Sequence, residues 1–324
     1  MAAHVQIRST PAVVTVDAEH AGQRLDNFLA QYFRKVPKAR LYRSVRTGEV
    51  RVNKGRVRPQ HRLCAGDLVR LPPLSSPASA APGVPGEALS RLLVDSVLFE
   101  DEYLLVLDKP SGLAVHGGSG RSLGLIEAMR SLRRHADSLE LVHRLDRETS
   151  GCLILAKRRR ALLGLHEALR EGQVDKRYRT LLRGRWRGGG RRVDCALRRV
   201  SGRTGERMVR LDAAGQDAST AFTPLSVGDL ASFMEARPHT GRTHQIRVHA
   251  CALDMPVAGD ARYGDRGFNA QMREKGLQRL FLHASSVRFT HPVGGQSLQV
   301  RAPLPPALAA VLEAIGLGAP GADP

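Results

Sequence analysis

A Pro- and Ser-rich segment interrupts this chain and limits, more than any other feature, what it can fold into. Residues 75–90, SSPASAAPGVPGEALS, are small and almost uncharged, which is typical of a linker. A chain of 324 residues is long enough for a core on each side of it. We therefore predict a domain over 1–74, a flexible linker over 75–90, a larger domain over 91–316 and a disordered tail over 317–324.

The charge balance predicts a polyanionic partner. Fifty Lys and Arg face 31 Asp and Glu, giving a formal charge of +19 and a pI near 10.9. Nucleic acid and an anionic membrane surface both fit such an excess. The longest charge-free run, 71–86, is rich in Pro and Ser, and the N-terminus lacks the apolar core of a secretory signal. We therefore expect nucleic acid and no membrane contact.

The cysteines favour a reducing compartment. Four of them lie far apart in sequence, and no pair has metal-knuckle spacing. A chain of this length does not need disulfides to fold. We expect free thiols and a cytoplasmic protein.

The first domain is expected to be basic and small. Residues 1–75 carry 14 Lys and Arg against 5 Asp and Glu, a net +9. Two short helices and a hairpin around an Asn-Lys-Gly turn are predicted from the apolar spacing. The basic residues form either an ordinary solvated face or a phosphate-binding surface, and the scarcity of interleaved acids favours the second. The candidate RNA-binding residues are Arg24, Lys38, Arg40, Arg43, Arg46, Lys54, Arg56 and Arg58.

This stretch resembles an S4-type RNA-binding module. The resemblance rests on GQRLDNFLAQYF (22–33), on KARLYRSVRTGEVRVNKGRVRP (38–59) and on AGDLVRLP (65–72). It covers nearly the whole first domain.

The second domain alternates strand and helix patterns, which predicts a mixed α+β architecture. Within it, LELV (139–142) and CLILAK (152–157) have the composition of buried strands, and a charged cluster, HRLDRETSG (143–151), stands between them. Loops held by rigid strands are where catalytic groups commonly lie. From the cluster alone, a carboxylate here is either a catalytic nucleophile or base, or one partner of a structural ion pair.

Six motifs in this order resemble the RluA-type family of RNA pseudouridine synthases. They are KPSGLAVHGG (109–118), HRLDRETSG (143–151), KRYRTLL (176–182), TGRTHQIRVH (240–249), GDARYG (259–264) and FLHASSVRFTHP (281–292). The resemblance covers most of residues 91–306. It implies a mixed, mainly antiparallel catalytic sheet behind the small S4-like domain, and 23S ribosomal RNA or its large-subunit precursor as the partner.

The resemblance also implies roles for single residues. Asp146 is expected to be the essential carboxylate, acting as a nucleophile on the sugar or base, or as a base at the ribose. Arg247 is expected to pair with Asp146 and keep it charged. Tyr178 is expected to pack on the target base and to take or relay the C5 proton, although a buried tyrosine is often only a packing residue.

Further residues are expected around the substrate. Arg144 is expected to fill the space that a flipped uridine leaves, or alternatively to contact a phosphate. His143 is expected to shape the loop. We expect Lys109, His116 and Lys176 to line the cleft or to touch phosphates. No cofactor is implied, because glycine-rich loops of nucleotide-binding spacing are absent from the sequence.

Two alternatives remain at this point. A metal-independent ribonuclease would use His143, Lys176 and His244 for acid–base cleavage, whereas a ribosome-binding protein would do no chemistry. Metal catalysis is not expected, since His244 and His249 are five positions apart and share neither a helix face nor a strand face. We expect a monomer without an obligate protein partner.

Overall fold

The computed structural model describes residues 11–33, 36–73, 85–117, 123–133, 139–201 and 207–318. The chain divides into two compact units, Met1–Gly83 and Val84–Pro324. Most of the expected linker lies outside the described residues. Its last four residues do not continue a linker, because a helix begins at Glu87 and buries Leu93. An acidic residue in the first turn favours a helix start there.

The first unit is a small sheet covered by two helices. Its elements are β1 (Ala12–Thr15), α1 (Leu25–Tyr32), α2 (Lys38–Arg46), β2 (Arg51–Val52) and β3 (Leu68–Leu71), with a short 3-10 turn at Ala18–His20. The strands are antiparallel in the order β1-β3-β2. Leu25, Phe28 and Leu29 form the buried stripe of α1 that their spacing predicts, and they pack on Leu41 and Val69.

The Asn-Lys-Gly turn is present, but the predicted hairpin is not. Asn53 and Lys54 both have positive φ, 48° and 68°, and Val52 and Gly55 exchange backbone hydrogen bonds across them. The chain beyond the turn does not pair back along β2. Instead β2 pairs with β3, and the Asn53 side chain bonds both the Leu68 N–H and the Asp67 carboxylate, which directs the strand there.

The second unit carries the larger sheet. Its strands are β4 (Val97–Glu100), β5 (Leu104–Lys109), β6 (Glu140–Leu141), β7 (Ser150–Ala156), β8 (Asp175–Arg183), β9 (Arg191–Asp194), β10 (Leu197–Ser201), β11 (Arg207–Leu211), β12 (Ser219–Val227), β13 (Ala231–Pro238), β14 (Leu282–Thr290) and β15 (Ser297–Arg301). Its helices are α3 (Glu87–Asp95), α4 (Leu125–Leu132), α5 (Arg159–Arg170), α6 (Gln245–Ala252), α7 (Arg266–Glu274) and α8 (Pro306–Ala314).

The sheet confirms the mixed, mainly antiparallel α+β class. The main path runs β4-β5-β7-β14-β8-β13-β12-β9, with β15 on β14 and β6 on β7. The β7–β14 pair is parallel, whereas its neighbours in this path are antiparallel. All seven residues of β7 are buried, as expected of a central strand covered on both faces.

A close approach at Gly151 fixes the start of β7. Its φ is +105°, and a Cβ there would lie 2.2 Å from the Ala284 carbonyl oxygen of β14. Only glycine lets the two backbones come so close. The charged cluster that precedes β7 is thereby held against the centre of the sheet.

Two smaller clusters complete the unit. Strands β10 and β11 form a separate two-stranded sheet, here called the β10–β11 hairpin, which packs Leu197 and Val209 on Val248 of α6. Helices α7 and α8 bury a second cluster on β8 and β13. Leu317 belongs to that cluster and is 4% exposed, so the disordered tail predicted from residue 317 begins too early. In the described part of the chain, no helix is both long and apolar enough to cross a membrane.

Candidate active site

The charged cluster forms a loop between β6 and β7, as the sequence predicts, and Lys109 anchors it from below. The Lys109 side chain is fully buried, and its Nζ donates to the carbonyls of Pro110, Leu113 and Arg147 at 2.8, 2.8 and 3.0 Å. Burial lowers the pKa of Lys109 to about 7. The expectation that Lys109 lines the cleft or touches phosphates is therefore wrong. Its Nζ contacts three backbone carbonyls inside the protein.

Further hydrogen bonds join this loop to the turn after β5. The Gly112 N–H donates to the Arg147 carbonyl, and the Arg147 Nε donates back to the Gly112 carbonyl, both at 2.9 Å. The Ser111 hydroxyl donates to the Glu148 carbonyl at 2.7 Å. Hydrogen bonds at Arg147 and Glu148 thus hold the backbone that follows Asp146. None of these bonds uses the Asp146 side chain.

Asp146 faces a buried arginine from a distant segment. The Arg247 Nη1 donates to the Asp146 Oδ2 at 3.2 Å, so the expected ion pair is present. The Asp146 side chain is 25% exposed, whereas that of Arg247 is 8% exposed. The Asp146 carboxylate therefore has one side on a buried cation and the other accessible to solvent and to a substrate.

A second carboxylate holds Arg247 in this position. Asp260 receives the Nε and Nη2 of Arg247 at 2.7 and 2.8 Å, a bidentate pair in which the Asp260 side chain is 1% exposed. Burial alone would raise the pKa of Asp260, but the hydrogen bonds and charge of Arg247 keep it below its ordinary value. Likewise, burial opposes the charge of Arg247, yet its pKa is raised by Asp260 first and by Asp146 second.

His244 also approaches Asp146. Its Nε2 lies 3.8 Å from the Asp146 Oδ2, and its Nδ1 is 2.7 Å from the Tyr263 hydroxyl. Burial lowers the pKa of His244, and the nearby Asp146 carboxylate only partly offsets this. His244 has a left-handed backbone, with φ 55°, directly before α6. Such a conformation is uncommon for a residue with a side chain and is found preferentially at functional sites.

Tyr178 and Lys176 project from the same face of β8, as the strand period predicts. Tyr178 is 8% exposed, and burial followed by the charge of Asp146 raises the pKa of its hydroxyl. Burial lowers the pKa of Lys176. The Nζ of Lys176 lies beside Gly241, in the turn that leads to His244. These two side chains therefore lie in the neighbourhood of Asp146, one aromatic and one cationic.

His143 is committed to the backbone. Its Nε2 accepts a hydrogen bond from the Ile154 N–H of β7 at 3.1 Å. Burial, and after it the charge of Lys176, lowers the pKa of His143 to about 3. The ring is therefore neutral at physiological pH, and the nitrogen that would carry a second proton is already used.

Arg144 and His116 lie at the surface. Arg144 is exposed, and its guanidinium has no ion-pair partner among the described residues. The His116 Nδ1 is 3.7 Å from Glu127, and the described contacts do not link His116 to Asp146. The other histidine considered for a metal, His249, is buried on Thr220 and the Cys195 carbonyl. Within the ranges that the structure describes, no cluster of ligating side chains could hold a metal ion.

The candidate RNA-binding residues of the first unit divide into two groups. Arg24 is paired with Asp26, and Arg40 is paired with Glu49. The others with described side chains are exposed and form no close ion pair in the described part of this unit, although the charge of Arg43 acts on Glu49; they are Arg43, Arg46, Lys54, Arg56 and Arg58. The side chain of Lys38 lies outside the described residues. The second group leaves an unneutralised basic surface on α2 and the turn after β2.

Three residues of the site had no role in the sequence-based prediction. Asp260 and Tyr263 belong to GDARYG, which was noticed only as part of a resemblance, and Arg279 stood in no motif. The Arg279 guanidinium donates to the Ser150 hydroxyl at 2.7 Å, at the exit of the Asp146 loop. Two acidic or aromatic residues after a glycine do not by themselves indicate a site. Their role is visible only from what they contact.

Comparison with protein families gives two matches along this chain. A family described as RNA pseudouridylate synthase matches residues 103–252, and the S4 domain matches residues 23–69. Ribosomal large subunit pseudouridine synthase C of Pasteurella multocida (strain Pm70) is 48% identical over 310 residues, 95% of each chain. The protein of the same name from Escherichia coli (strain K12) is 48% identical over 300 residues, covering 91% of this chain and 94% of the relative.

Solved structures of pseudouridylate synthase domains are similar to this chain as well. Human RNA Pseudouridylate Synthase Domain Containing 4 aligns with a TM-score of 0.61 and 27% identity, over 72% of this chain and 98% of that one. Human RNA Pseudouridylate Synthase Domain Containing 1 aligns with a TM-score of 0.57 and 28% identity, over 70% and 89%.

Proposed function

The chain belongs to the RNA pseudouridine synthase family, of the RluA type, and from this we propose that it isomerises uridines of large-subunit ribosomal RNA to pseudouridine. The observation that carries the proposal is the Asp146 carboxylate, part exposed, held by the buried guanidinium of Arg247. The relatives at 48% identity are named for large-subunit ribosomal RNA, which supports the choice of substrate.

The proposed reaction requires a carboxylate and consumes no cofactor. The C1′–N1 bond of uridine breaks, the base turns, and C5 attaches to C1′; the proton that leaves C5 is balanced by one that N1 takes up. Mass and redox state are unchanged, so neither a nucleotide triphosphate nor an electron carrier is consumed. We propose that Asp146 drives this as a nucleophile at the sugar or base, or as a base at the ribose. The ion pair with Arg247 holds its carboxylate in place for any of these roles.

Tyr178 is proposed to pack against the target base. Its buried position beside Asp146 supports this role. Because its pKa is raised, the hydroxyl stays protonated at neutral pH, so a proton relay would pass through the neutral hydroxyl and not through a phenolate.

The target uridine must leave its stack to reach Asp146, at a cost of a few kcal/mol. We propose that Arg144 fills the vacated space, since its guanidinium is exposed, unpaired in the described part of the chain, and two residues from Asp146. Lys176 and His116 are proposed to contact phosphates, Lys176 near the target nucleotide and His116 at the rim. His143 shapes the loop through its bond to Ile154.

The first unit is proposed to bind RNA phosphates through its unpaired basic surface. Arg43, Arg46, Lys54, Arg56 and Arg58 are exposed there, and Lys38 lies on the same helix α2. Arg24 and Arg40 are proposed to contact RNA phosphates more weakly, since each is paired with a carboxylate that offsets its charge. We propose that the protein acts as a monomer in the cytoplasm, without an obligate protein partner or a cofactor.

A ribonuclease is disfavoured by the site itself. Acid–base cleavage needs a side chain that gains and loses a proton near neutral pH. His143 accepts a backbone N–H and has a pKa of about 3, so it does not meet this requirement. A pure binding protein would have no need for the Asp260–Arg247–Asp146 chain, in which Asp260 and Arg247 are buried and costly to desolvate.

The test is to incubate the protein with unmodified large-subunit ribosomal RNA and measure pseudouridine by nucleoside chromatography. Wild type should form pseudouridine with no change in RNA length, and Asp146→Asn should form none while still binding RNA. Glu102→Gln, at an exposed carboxylate, is the matched control and should behave as wild type. Shortened RNA, or turnover retained by Asp146→Asn, would overturn the proposal.

A further inference from the structure

Tyr263 contacts both residues that face Asp146. Its hydroxyl is 2.7 Å from the His244 Nδ1, and the two rings meet edge to face at 5.4 Å. The Arg247 guanidinium lies over the same ring, 5.1 Å from its centroid. One side chain therefore contacts both His244 and Arg247, which lie 3.8 and 3.2 Å from the Asp146 carboxylate.

The Tyr263 hydroxyl also receives a hydrogen bond from the β10–β11 hairpin. The Val209 N–H donates to it at 2.9 Å. The oxygen accepts the Val209 N–H with one lone pair, so its own hydrogen can be donated to the His244 Nδ1. A ring that accepts at Nδ1 while neutral carries its proton on Nε2. That nitrogen is the one 3.8 Å from the Asp146 Oδ2.

The hairpin is joined to the same segment at two further points. The Arg199 Nη2 donates to the Thr243 hydroxyl at 2.7 Å, one residue before His244. Leu197 and Val209 pack on Val248 of α6, the helix that carries Arg247. The backbone of Tyr263 is in turn fixed by its N–H bond to the Asp260 Oδ1.

From these contacts we propose that Tyr263 is a positioning residue for Asp146, acting through His244 and Arg247. This inference rests on the proposed function. It implies that the Asp146 carboxylate is correctly placed only when the β10–β11 hairpin is packed against Tyr263 and α6. The Val209 N–H occupies one side of the hydroxyl and directs its hydrogen to Nδ1, which sets the His244 tautomer. His244 then offers Asp146 an N–H, beside the one from Arg247. The left-handed backbone of His244 is maintained by these contacts.

The first experiment measures the tautomer, in protein labelled with ¹⁵N at histidine and without RNA. Wild type should show a protonated Nε2 and an unprotonated Nδ1 for His244, assigned by the signal that His244→Gln removes. Tyr263→Phe keeps the ring over Arg247 but loses the hydroxyl, and should yield a mixture of tautomers. An unchanged His244 spectrum in Tyr263→Phe would overturn the proposal. This readout does not depend on which RNA is the substrate, so its failure is distinct from failure of the proposed function.

The second experiment measures turnover. Tyr263→Phe should lower kcat about tenfold or more, because a small displacement of a catalytic group is costly, and should leave the KM for RNA unchanged. Tyr103→Phe is the matched control: it too is a partly buried tyrosine edge-on to a histidine, His291, at 5.8 Å, and it should behave as wild type. A Tyr263→Phe enzyme with wild-type kcat, or with a change confined to KM, would contradict the positioning role.

Two substitutions of His244 keep the proposal testable if Tyr263→Phe does not fold. Both remove the imidazole, but only glutamine retains an N–H donor that can reach Asp146. His244→Gln should keep most of the wild-type kcat, and His244→Leu should lose about tenfold or more. In the His244→Gln background, Tyr263→Phe should cost less than in wild type, since no tautomer remains to be set. Equal losses in the two His244 variants would overturn the proposal.

Discussion

The Arg247 Nη1 and the Asp146 Oδ2 are 3.2 Å apart although 101 positions separate the two residues in sequence. The Nε and Nη2 of Arg247 both donate to the Asp260 carboxylate. Arg247 is therefore fixed before substrate arrives, and Asp146 is the only member of the three with substantial access to solvent. Under the proposed function, a carboxylate so held does not have to be reoriented during the reaction.

Replacing Asp260 by asparagine should destabilise the protein and reduce turnover. The change leaves the buried Arg247 with no bidentate partner, and breaking a buried pair from one side typically costs about 3–5 kcal/mol. The measurement is the free energy of unfolding from urea titration, together with kcat. Asp229→Asn removes the partner of Arg185 at the surface and serves as the control, for which almost no loss is expected. Equal free energies of unfolding for the two variants would show that the Asp260–Arg247 pair does not stabilise the fold.

Replacing Lys109 by methionine should loosen the Asp146 loop. Methionine fills the space but donates none of the three hydrogen bonds to backbone carbonyls. We expect kcat to fall about tenfold or more while the KM for RNA holds. Hydrogen exchange at the Gly112 amide, which is bonded to the Arg147 carbonyl, should become faster. Lys157→Met, at a partly exposed lysine paired with Glu100, should alter neither quantity; wild-type exchange in Lys109→Met would count against the anchoring role.

Removing two cations from α2 should make RNA binding less dependent on salt. Arg43 and Arg46 are exposed and unpaired in the described part of the first unit. If both contact phosphates, the slope of log K against log salt should become shallower by about one to two units in the double alanine variant. Fluorescence anisotropy with a ribosomal RNA fragment gives this slope. Arg40→Ala, on the same helix but paired with Glu49, should change it less. A slope that stays at the wild-type value would remove this face from the RNA interface.

Acid should destabilise the protein through His283. This ring is fully buried between the Ser150 hydroxyl and the Ala302 carbonyl, and burial lowers its pKa to about 4. As pH falls below the ordinary pKa of histidine, His283 becomes protonated in the unfolded chain. In the folded chain it stays neutral until about pH 4. Stability is therefore lost across that window, by an amount on the order of 1 kcal/mol per pH unit.

Urea unfolding at several pH values tests this expectation. His283→Gln removes the titrating ring and retains a side chain that can bond Ser150. Its stability should fall less steeply than that of wild type between about pH 6.5 and pH 4. Parallel curves for the two proteins would show that His283 is not the source of the acid sensitivity.

Sequence patterns alone went far towards the fold and the family. Apolar spacing indicated the helices α1 and α2, and apolar composition indicated the buried strand β7, because burial leaves a pattern that is visible locally. The motifs around Asp146 and Arg247 indicated the family, which the comparisons confirm. The roles proposed for single side chains at the site stay predictions until variants are measured.

Other features depended on the tertiary structure. The composition around Lys109 suits a cleft lysine as well as a buried one, and only the convergence of two loops on its Nζ decides between them. Strand β2 pairs with β3, at Arg51↔Arg70 and Val52↔Val69, and not across its own turn; the Asn53 side chain bonds the Leu68 N–H at the start of β3. Local sequence determined which segments are helix, strand or loop, because backbone sterics and one-sided burial act over a few residues. The environment of each charged group was decided by the tertiary structure, because desolvation and pairing depend on segments about a hundred positions apart.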